Sequence, residues 1–258
     1  MKAVILAGGY GTRMAEETMT RPKPMVEIGG MPILWHIMKI YSAHGIRDFV
    51  ICCGYKGQMI KEYFANYYLY NSDVTFDLSN NKTTIHQQKV EPWRVTLVDT
   101  GDKSGTGGRL KRVADYIGNE PFCFTYGDGV GNVDISRSIA FHREQKGLAT
   151  MTAVQPPGRY GSFHIAANQN RIASFREKPQ GDNAWVNGGF FVLEPSVLDY
   201  IQDDTTFWEA SPLEQLAQDG QLVVYKHDGF WHCMDHLKDK MDLDQMWKEG
   251  RAPWKVWA

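Results

Sequence analysis

The chain opens with KAVILAGGYGTR, from Lys2 to Arg13. Ala3, Val4, Ile5, Leu6 and Ala7 form an unbroken apolar run, and Gly8, Gly9 and Gly11 come directly after it. A run that is apolar at every position suits a strand covered on both faces, as in a parallel sheet flanked by helices. Glycines after such a strand let backbone amides approach a ligand closely, which is one way proteins hold phosphate. This stretch alone therefore predicts an α/β fold with an anion site at the end of its first strand.

The remaining pattern agrees. PILWHIMKIYSAHG predicts a helix with Pro32 at its start, an apolar stripe of Ile33, Ile37, Ile40 and Tyr41, and Gly45 at its C-terminal cap. DFVICCG reads as a buried strand and QMIKEYFANYYL as a helix, and DVTFDL, TTIHQ and VTLVDTG read as strands. GGRLKRVADYIG is predicted helical, PFCFTYGDG a strand ending in a turn, and DISRSIAFHREQKG helical. Such an order implies a doubly wound, mostly parallel sheet with right-handed crossovers. From ATMTAV onward strands dominate (SFHIAA, RIASFREK, WVNGGFFVLE), with helices near 196–201 and 212–219 and a turn at Asn168-Gln169-Asn170. With no linker or repeat, we expect a single domain over 1–258. Residues 1–150 are expected to form a nucleotide half, and the strand-rich 151–258 a half that supplies a lid and a second substrate site.

At 258 residues the chain can bury a sizeable core. It carries 28 Lys and Arg against 30 Asp and Glu, a formal net charge of -2. That balance supplies no broad positive face, so neither nucleic acid nor a membrane surface is an expected partner. A phosphorylated substrate must instead be met by a few placed cations. The cysteines Cys52, Cys53, Cys123 and Cys233 lack a CxxC spacing, and buried reduced thiols are expected rather than a zinc site. No apolar run approaches about 18 residues, and a soluble, cytoplasmic protein is expected.

The glycine loop fails two common phosphate-loop patterns. No lysine followed by Ser or Thr closes it, as G-x-x-x-x-G-K-[ST] requires, and G-x-G-x-x-G would need glycine where Met14 stands. Arg13 stands just beyond the loop, ready to pair with phosphate. Further on, RPKPM sets Lys23 between Pro22 and Pro24, which stiffen the backbone and deny it helix. Alone, Lys23 reads as a solvated surface lysine. Loop, Arg13 and Lys23 together point to a triphosphate.

LAGGYGTR followed by RPKPMVEIGGMPILWH resembles the signature of the sugar-1-phosphate nucleotidyltransferases. VEPWRVTLVDTG, TGGRLKRV, FTYGDGV, EKP, NGGFFV and the closing APWKVW are similar to the cytidylyltransferase group of that family. The likeness runs along nearly the whole chain. It implies a doubly wound sheet closed by a sugar-binding part, in agreement with the element order. It also implies in-line attack of a sugar 1-phosphate on the α-phosphorus of a nucleoside triphosphate, with Mg²⁺ as cofactor. The attacking phosphate has a second pKa of about 6, so no general base is needed; positioning and charge cancellation suffice.

By this resemblance Leu6, Ala7, Gly8, Gly9, Tyr10, Gly11, Thr12 and Arg13 lie along the triphosphate. Lys23 reaches the α-phosphate and Arg13 stabilises the departing pyrophosphate. Gly127 and Asp128 of TYGDG belong to the nucleotide site, and Asp128, at a strand end where open α/β sheets bind ligands, is the expected metal carboxylate. The ordinary alternative for Asp128 is a turn aspartate. In the C-terminal half Asp235 is the expected second metal ligand; its alternative is a helix N-cap, with Lys238 at the third helical position. Glu177, Lys178, Asn187 and Gly188 are expected to meet the sugar phosphate, although adjacent Glu177 and Lys178 would face opposite ways on a regular strand.

Ser104 and Arg109 of DTGDKSGTGGRLKRV match nucleotide-contacting positions of the cytidylyltransferases, which implies CTP, with glucose 1-phosphate as acceptor. A relative using UTP, TTP or another sugar phosphate is the alternative within the class. A non-catalytic nucleotide-binding regulator would be expected to lose Arg13, Lys23 or a metal aspartate, and this chain keeps them. An oxidoreductase lacks its third glycine here. The closing MWKEGRAPWKVWA carries Trp247, Trp254 and Trp257. So much apolar area near a terminus, together with the hexamers of family relatives, suggests a homo-oligomer; the ordinary alternative is docking on the chain's own core.

Overall fold

Burial of the opening run is complete: β1, Ala3–Ala7, has no exposed residue. A computed structural model describes residues 1–88, 90–156, 162–165, 172–176 and 185–258. Side chains of β1 alternate between two cores. Ala3, Ile5 and Ala7 face one that includes Ile33, Ile37, Ile40 and Tyr41 of the helix Ile33–Ala43. Val4 and Leu6 face another, with Leu110, Val113 and Trp208. The helical stripe read from the sequence is fully buried, each such side chain contributing about 1.5–3 kcal/mol.

The central sheet comprises β1 with β2 (Asp48–Cys53), β3 (Arg94–Asp99), β4 (Phe122–Tyr126), β5 (Ala149–Val154), β6 (Val186–Leu193) and β7 (Leu222–His227). Their spatial order is β7-β5-β6-β4-β1-β2-β3. All neighbours run parallel except that β6 is antiparallel to both β4 and β5. The doubly wound, mostly parallel sheet is therefore as expected. From β1 the chain steps outward to β2 and β3, then returns to lay β4 on the other side of β1, with Ala3 opposite both Phe49 and Cys123. At such a reversal the loops after adjacent strands diverge and leave a crevice. Here those loops are the glycine loop and TYGDG.

Several expectations change in detail. Ser72–Asp77 and Lys82–Gln88 are strands, but they pair with each other as a separate antiparallel arm. Phe76 of this arm and Leu78 in the connection between its strands are exposed rather than part of the core. GGRLKRVADYIG forms two helical pieces, Thr106–Arg112 and Ala114–Ile117, because Val113 leaves the helical region at φ -101°, ψ 11°. Ser162–Ile165 and Ile172–Arg176 pair as an antiparallel hairpin; the turn expected at 168–170 lies outside the described residues. Among those residues no helix is long and apolar enough to cross a membrane.

The tryptophan tail corrects the reasoning that led to an oligomer. Trp254 is fully buried within its own chain, and Trp247 and Trp257 pack against the same core. Gly29 permits this: at φ +60° it lies so close to Trp247 that a Cβ would meet the ring at 1.9 Å. At the centre is His36, whose ring centroid lies 4.6 Å from that of Trp247 and 6.2 Å from those of Trp254 and Trp257. The tail thus covers this chain's own helix, and its tryptophans give no reason for an interface.

His36 Nε2 lies 2.8 Å from the Ile28 carbonyl and must donate to it, so Nδ1 accepts from Trp254 Nε1 at 3.3 Å. Burial pushes its pKa down from 6.5 to about 4, against a smaller opposing effect of the Ile28 carbonyl. The unfolded chain therefore takes up a proton that the folded chain refuses between these values, and stability falls as pH drops through that window. The loss is about 3 kcal/mol at most. Urea midpoints from pH 7 to 4 should decline in the wild type and flatten in His36→Gln; equal slopes would count against a neutral buried imidazole.

Candidate active site

The crevice at the carboxyl ends of β1 and β4 is a cavity of about 810 Å³. Its lining includes Leu6 to Arg13, Lys23, Ser104, Arg109, Gly127, Asp128, Asn187, Gly188 and Asp235. The structure thus brings those sequence-predicted residues to one place. Glu177 and Lys178 lie outside the described residues.

Lys23 is delivered by its prolines, though not as expected. Pro22 is extended, at φ -68° and ψ 149°, but Lys23–Met25 closes a single 3-10 turn with Pro24 in it. At the start of a turn proline's missing N–H costs nothing, so the pair permits one turn and no more. From there Lys23 Nζ donates to Asp128 Oδ2 at 2.6 Å and to Asp235 Oδ1 at 2.7 Å. Arg13 Nη1 donates to the other oxygen of Asp235 at 3.1 Å, with its side chain otherwise exposed. Burial alone would lower the Lys23 pKa, but Asp128 and then Asp235 outweigh it and hold the amine charged well above its usual range. Burial alone would likewise raise Asp235, and Lys23 with Arg13 holds it below the usual carboxylate range.

A small ribbon sets the two aspartates. Trp231–Cys233 pairs antiparallel with Gly129–Gly131, placing Cys233 opposite Gly129, and Met234 N donates to the Asp128 carbonyl at 2.8 Å. Asp128 and Asp235 therefore flank one ladder and approach each other. The capping alternative for Asp235 is displaced by one residue. His236 is the N-cap of the helix Leu237–Lys248, and Asp239 stands at the third position instead of Lys238. Asp239 accepts from the backbone N–H groups of both Asp235 and His236, at 2.9 and 2.7 Å. The side chain of Asp235 is left free to face the cavity.

One oxygen each from Asp128 and Asp235, with Cys233 Sγ, lie within 4.8 Å of one another. Burial pushes the Cys233 thiol well above its usual range, with Asp128 adding to the effect, so the usable donors are two carboxylates. Converging hard oxygens of this kind fit a divalent cation such as Mg²⁺ or Mn²⁺. Cys52, Cys53 and Cys123 are buried free thiols, as expected. Cys233 is half-buried and faces the site. Its position two residues before Asp235 was the signal for this.

At the other end of the cavity, Arg109 is only 4% exposed. Its Nη1 donates to Thr100 Oγ1 at 2.9 Å and the Gly101 carbonyl at 2.6 Å, and Nη2 donates to the Asp102 carbonyl at 3.2 Å. In this structure the guanidinium works as a strut beneath residues 100–102. Gly8 lies against it, so that a Cβ there would fall 2.1 Å from Nη1. Ser104 Oγ donates to the Thr100 carbonyl at 2.5 Å. On the facing wall, Asn187 Nδ2 donates to Tyr126 Oη at 3.3 Å and Trp231 Nε1 to the Gly188 carbonyl at 2.7 Å.

Sequence reasoning missed Tyr126, Phe207, Glu209 and Trp231, which also line the cavity. Tyr126 and Trp231 sit close before Asp128 and Asp235, a signal that could have been read. Glu209 left none. If Arg109 is a strut, Arg109→Lys should speed hydrogen exchange at Gly101 and Asp102 by about 10-fold or more, the scale of losing one or two hydrogen bonds of about 1 kcal/mol. Unchanged exchange would show that the loop holds itself.

Residues 2–235 match the family model described as nucleotidyl transferase. The chain is similar to a glucose-1-phosphate cytidylyltransferase of Salmonella typhimurium, 62% identical over 258 residues and covering 100% of both chains. It is also similar to a probable glucose-1-phosphate cytidylyltransferase of Bacillus subtilis, at 43% identity and again 100% of both. Among solved structures, HddC from Yersinia pseudotuberculosis superposes with a TM-score of 0.69 at 22% identity, over 95% of this chain and 99% of that one; this likeness concerns the fold alone. Family members generally use a divalent metal. The strand-to-glycine-loop opening, the sheet reversal and the full-length matches agree: the chain belongs to the nucleotidyl transferase family and is a nucleotidyltransferase.

Proposed function

We infer that the chain transfers the cytidylyl group of CTP to glucose 1-phosphate, giving CDP-glucose and pyrophosphate. The observation that carries this reading is identity along the whole chain to proteins named for that activity. The cavity supports it with cations at one end and hydrogen-bonding groups along its walls. The sugar phosphate is already largely dianionic at neutral pH, so the protein must hold two anions in line and offset their repulsion. The glycine loop gives backbone amides to the triphosphate. Lys23 takes the α-phosphate, where negative charge shifts as the new bond forms, and Arg13 takes the departing pyrophosphate.

Asp128 and Asp235 would hold Mg²⁺, and the bound ion would supply neutralisation of phosphate oxygens. Ser104, on the loop that Arg109 braces, faces the base. Asn187 and Gly188, with Glu177 and Lys178, meet the sugar phosphate. We propose a cytoplasmic location, which the reaction's draw on nucleoside triphosphate supports. We further propose a homo-oligomer, hexameric as in family relatives. With the tryptophan tail already engaged, the arm carrying Phe76 and Leu78, 57% and 90% exposed, is the better candidate surface. A stable monomer by light scattering at micromolar concentration would rule assembly out.

Pyrophosphate release should be Mg²⁺-dependent and fastest with CTP and glucose 1-phosphate when CTP, UTP, TTP, ATP and GTP are crossed against several sugar 1-phosphates. No active pair would remove the catalytic reading, whereas faster turnover with UTP or TTP would remove only the cytidylyl assignment. Asp235→Asn should lower the Mg²⁺-dependent rate by at least about 100-fold, the scale of one strong electrostatic stabiliser, and leave metal-free CTP binding largely intact. Wild-type turnover in that variant would exclude Asp235 from the metal site.

A further inference from the structure

In this structure the ammonium of Lys23 stands between Asp128 and Asp235, within hydrogen-bond distance of one oxygen from each. Those carboxylates offer the converging oxygens that a divalent cation requires. Lys23 and a metal ion therefore compete for the same donors. Charge counting sharpens the point. Two carboxylates face two cations, Lys23 and Arg13, so the cluster by itself presents no net negative charge to attract an ion.

The root of Lys23 sits beside the glycine loop: a Cβ on Gly11 would lie 3.2 Å from Lys23 Cβ. Its four-carbon stem can carry the ammonium from the aspartates to a phosphate on that loop by rotation of side-chain torsions alone. A polyphosphate on the loop offers more negative charge than the carboxylates and draws Arg13 as well.

We propose that Lys23 is an internal occupant of the cation position, which keeps Asp128 and Asp235 closed to divalent metal until a nucleotide phosphate takes the ammonium away. This rests on the nucleotidyl-transfer reading of the same site. One side chain then has two successive partners, and its departure to the phosphate opens the metal site. Nucleotide and metal enter together or nucleotide first, and the free enzyme does not hoard metal between turnovers.

Mn²⁺ binding to the free protein, followed by electron paramagnetic resonance of the unbound ion, tests this without turnover. The wild type alone should bind weakly. Lys23→Met should bind at least about 10-fold more tightly, since it removes a unit charge from the position the ion would take. Lys23→Arg should stay as weak as the wild type. Lys23→Gln provides the same measurement should Lys23→Met fail to fold. With a non-hydrolysable CTP analogue, water-proton relaxation should report protein-bound Mn²⁺ in the wild type.

Equal Mn²⁺ affinity in the wild type and the neutral variants, with nucleotide-dependent binding intact, would overturn the occupant role and leave the metal site standing. Tight binding that persists when Asp235→Asn is added to Lys23→Met would place the ion elsewhere. That would overturn the assignment of the metal site itself.

Discussion

Two carboxylates brought close together repel each other, and something must offset that repulsion in every state of the molecule. Here it is the Lys23 ammonium, gripped by Asp128 and Asp235 and supported by Arg13. Much of the local architecture follows from that requirement. The prolines around Lys23 limit its backbone to a single turn, the ribbon of Gly129–Gly131 and Trp231–Cys233 sets the spacing of the acids, and Asp239 relieves Asp235 of capping duty. Paired charges taken partly out of water cost desolvation that good geometry must recover. A protein evolved for stability alone has cheaper ways to join these segments, so the cluster makes most sense as a site.

A second constraint is closeness of approach. The backbone of Gly8 touches the Arg109 guanidinium, and that guanidinium carries the turn after β3. Strand end, arginine and loop thus form one stack from the first residues of the sheet to the far wall of the cavity. The Arg109 side chain, expected as a nucleotide contact, lines the cavity and also braces the turn that it is bonded to. The position of the loop after β1 is consequently tied to that of the turn after β3 through the same glycine.

Much of this was legible in the sequence, and the limits have physical causes. A strand buried on both faces leaves an unbroken apolar run, so β1, β2 and β4 could be read directly. Glycines at its end and prolines around Lys23 restrict the backbone in ways few other residues do. The pairing of Asp128 with Asp235 is different in kind, because it depends on a short ladder between distant segments that carries no periodic pattern of its own. The role of Arg109 was hidden because its partners are mostly backbone carbonyls, which every residue possesses. The three tail tryptophans announced burial correctly but not their partner, since apolar area is not directional.

The docking of that tail has a consequence for how the protein comes into being. Trp254 completes a core that contains Ala3, Ile5 and residues of the helix Ile33–Ala43, so two segments far apart in sequence seal each other. Contacts of such long sequence separation form late, because the intervening chain must first be ordered. The N-terminal half, although it carries the loop and Lys23, must then wait with an apolar face uncovered while synthesis proceeds. Loss of the segment that carries Trp254 would leave that core without its lid, which makes this one late contact a checkpoint on folding.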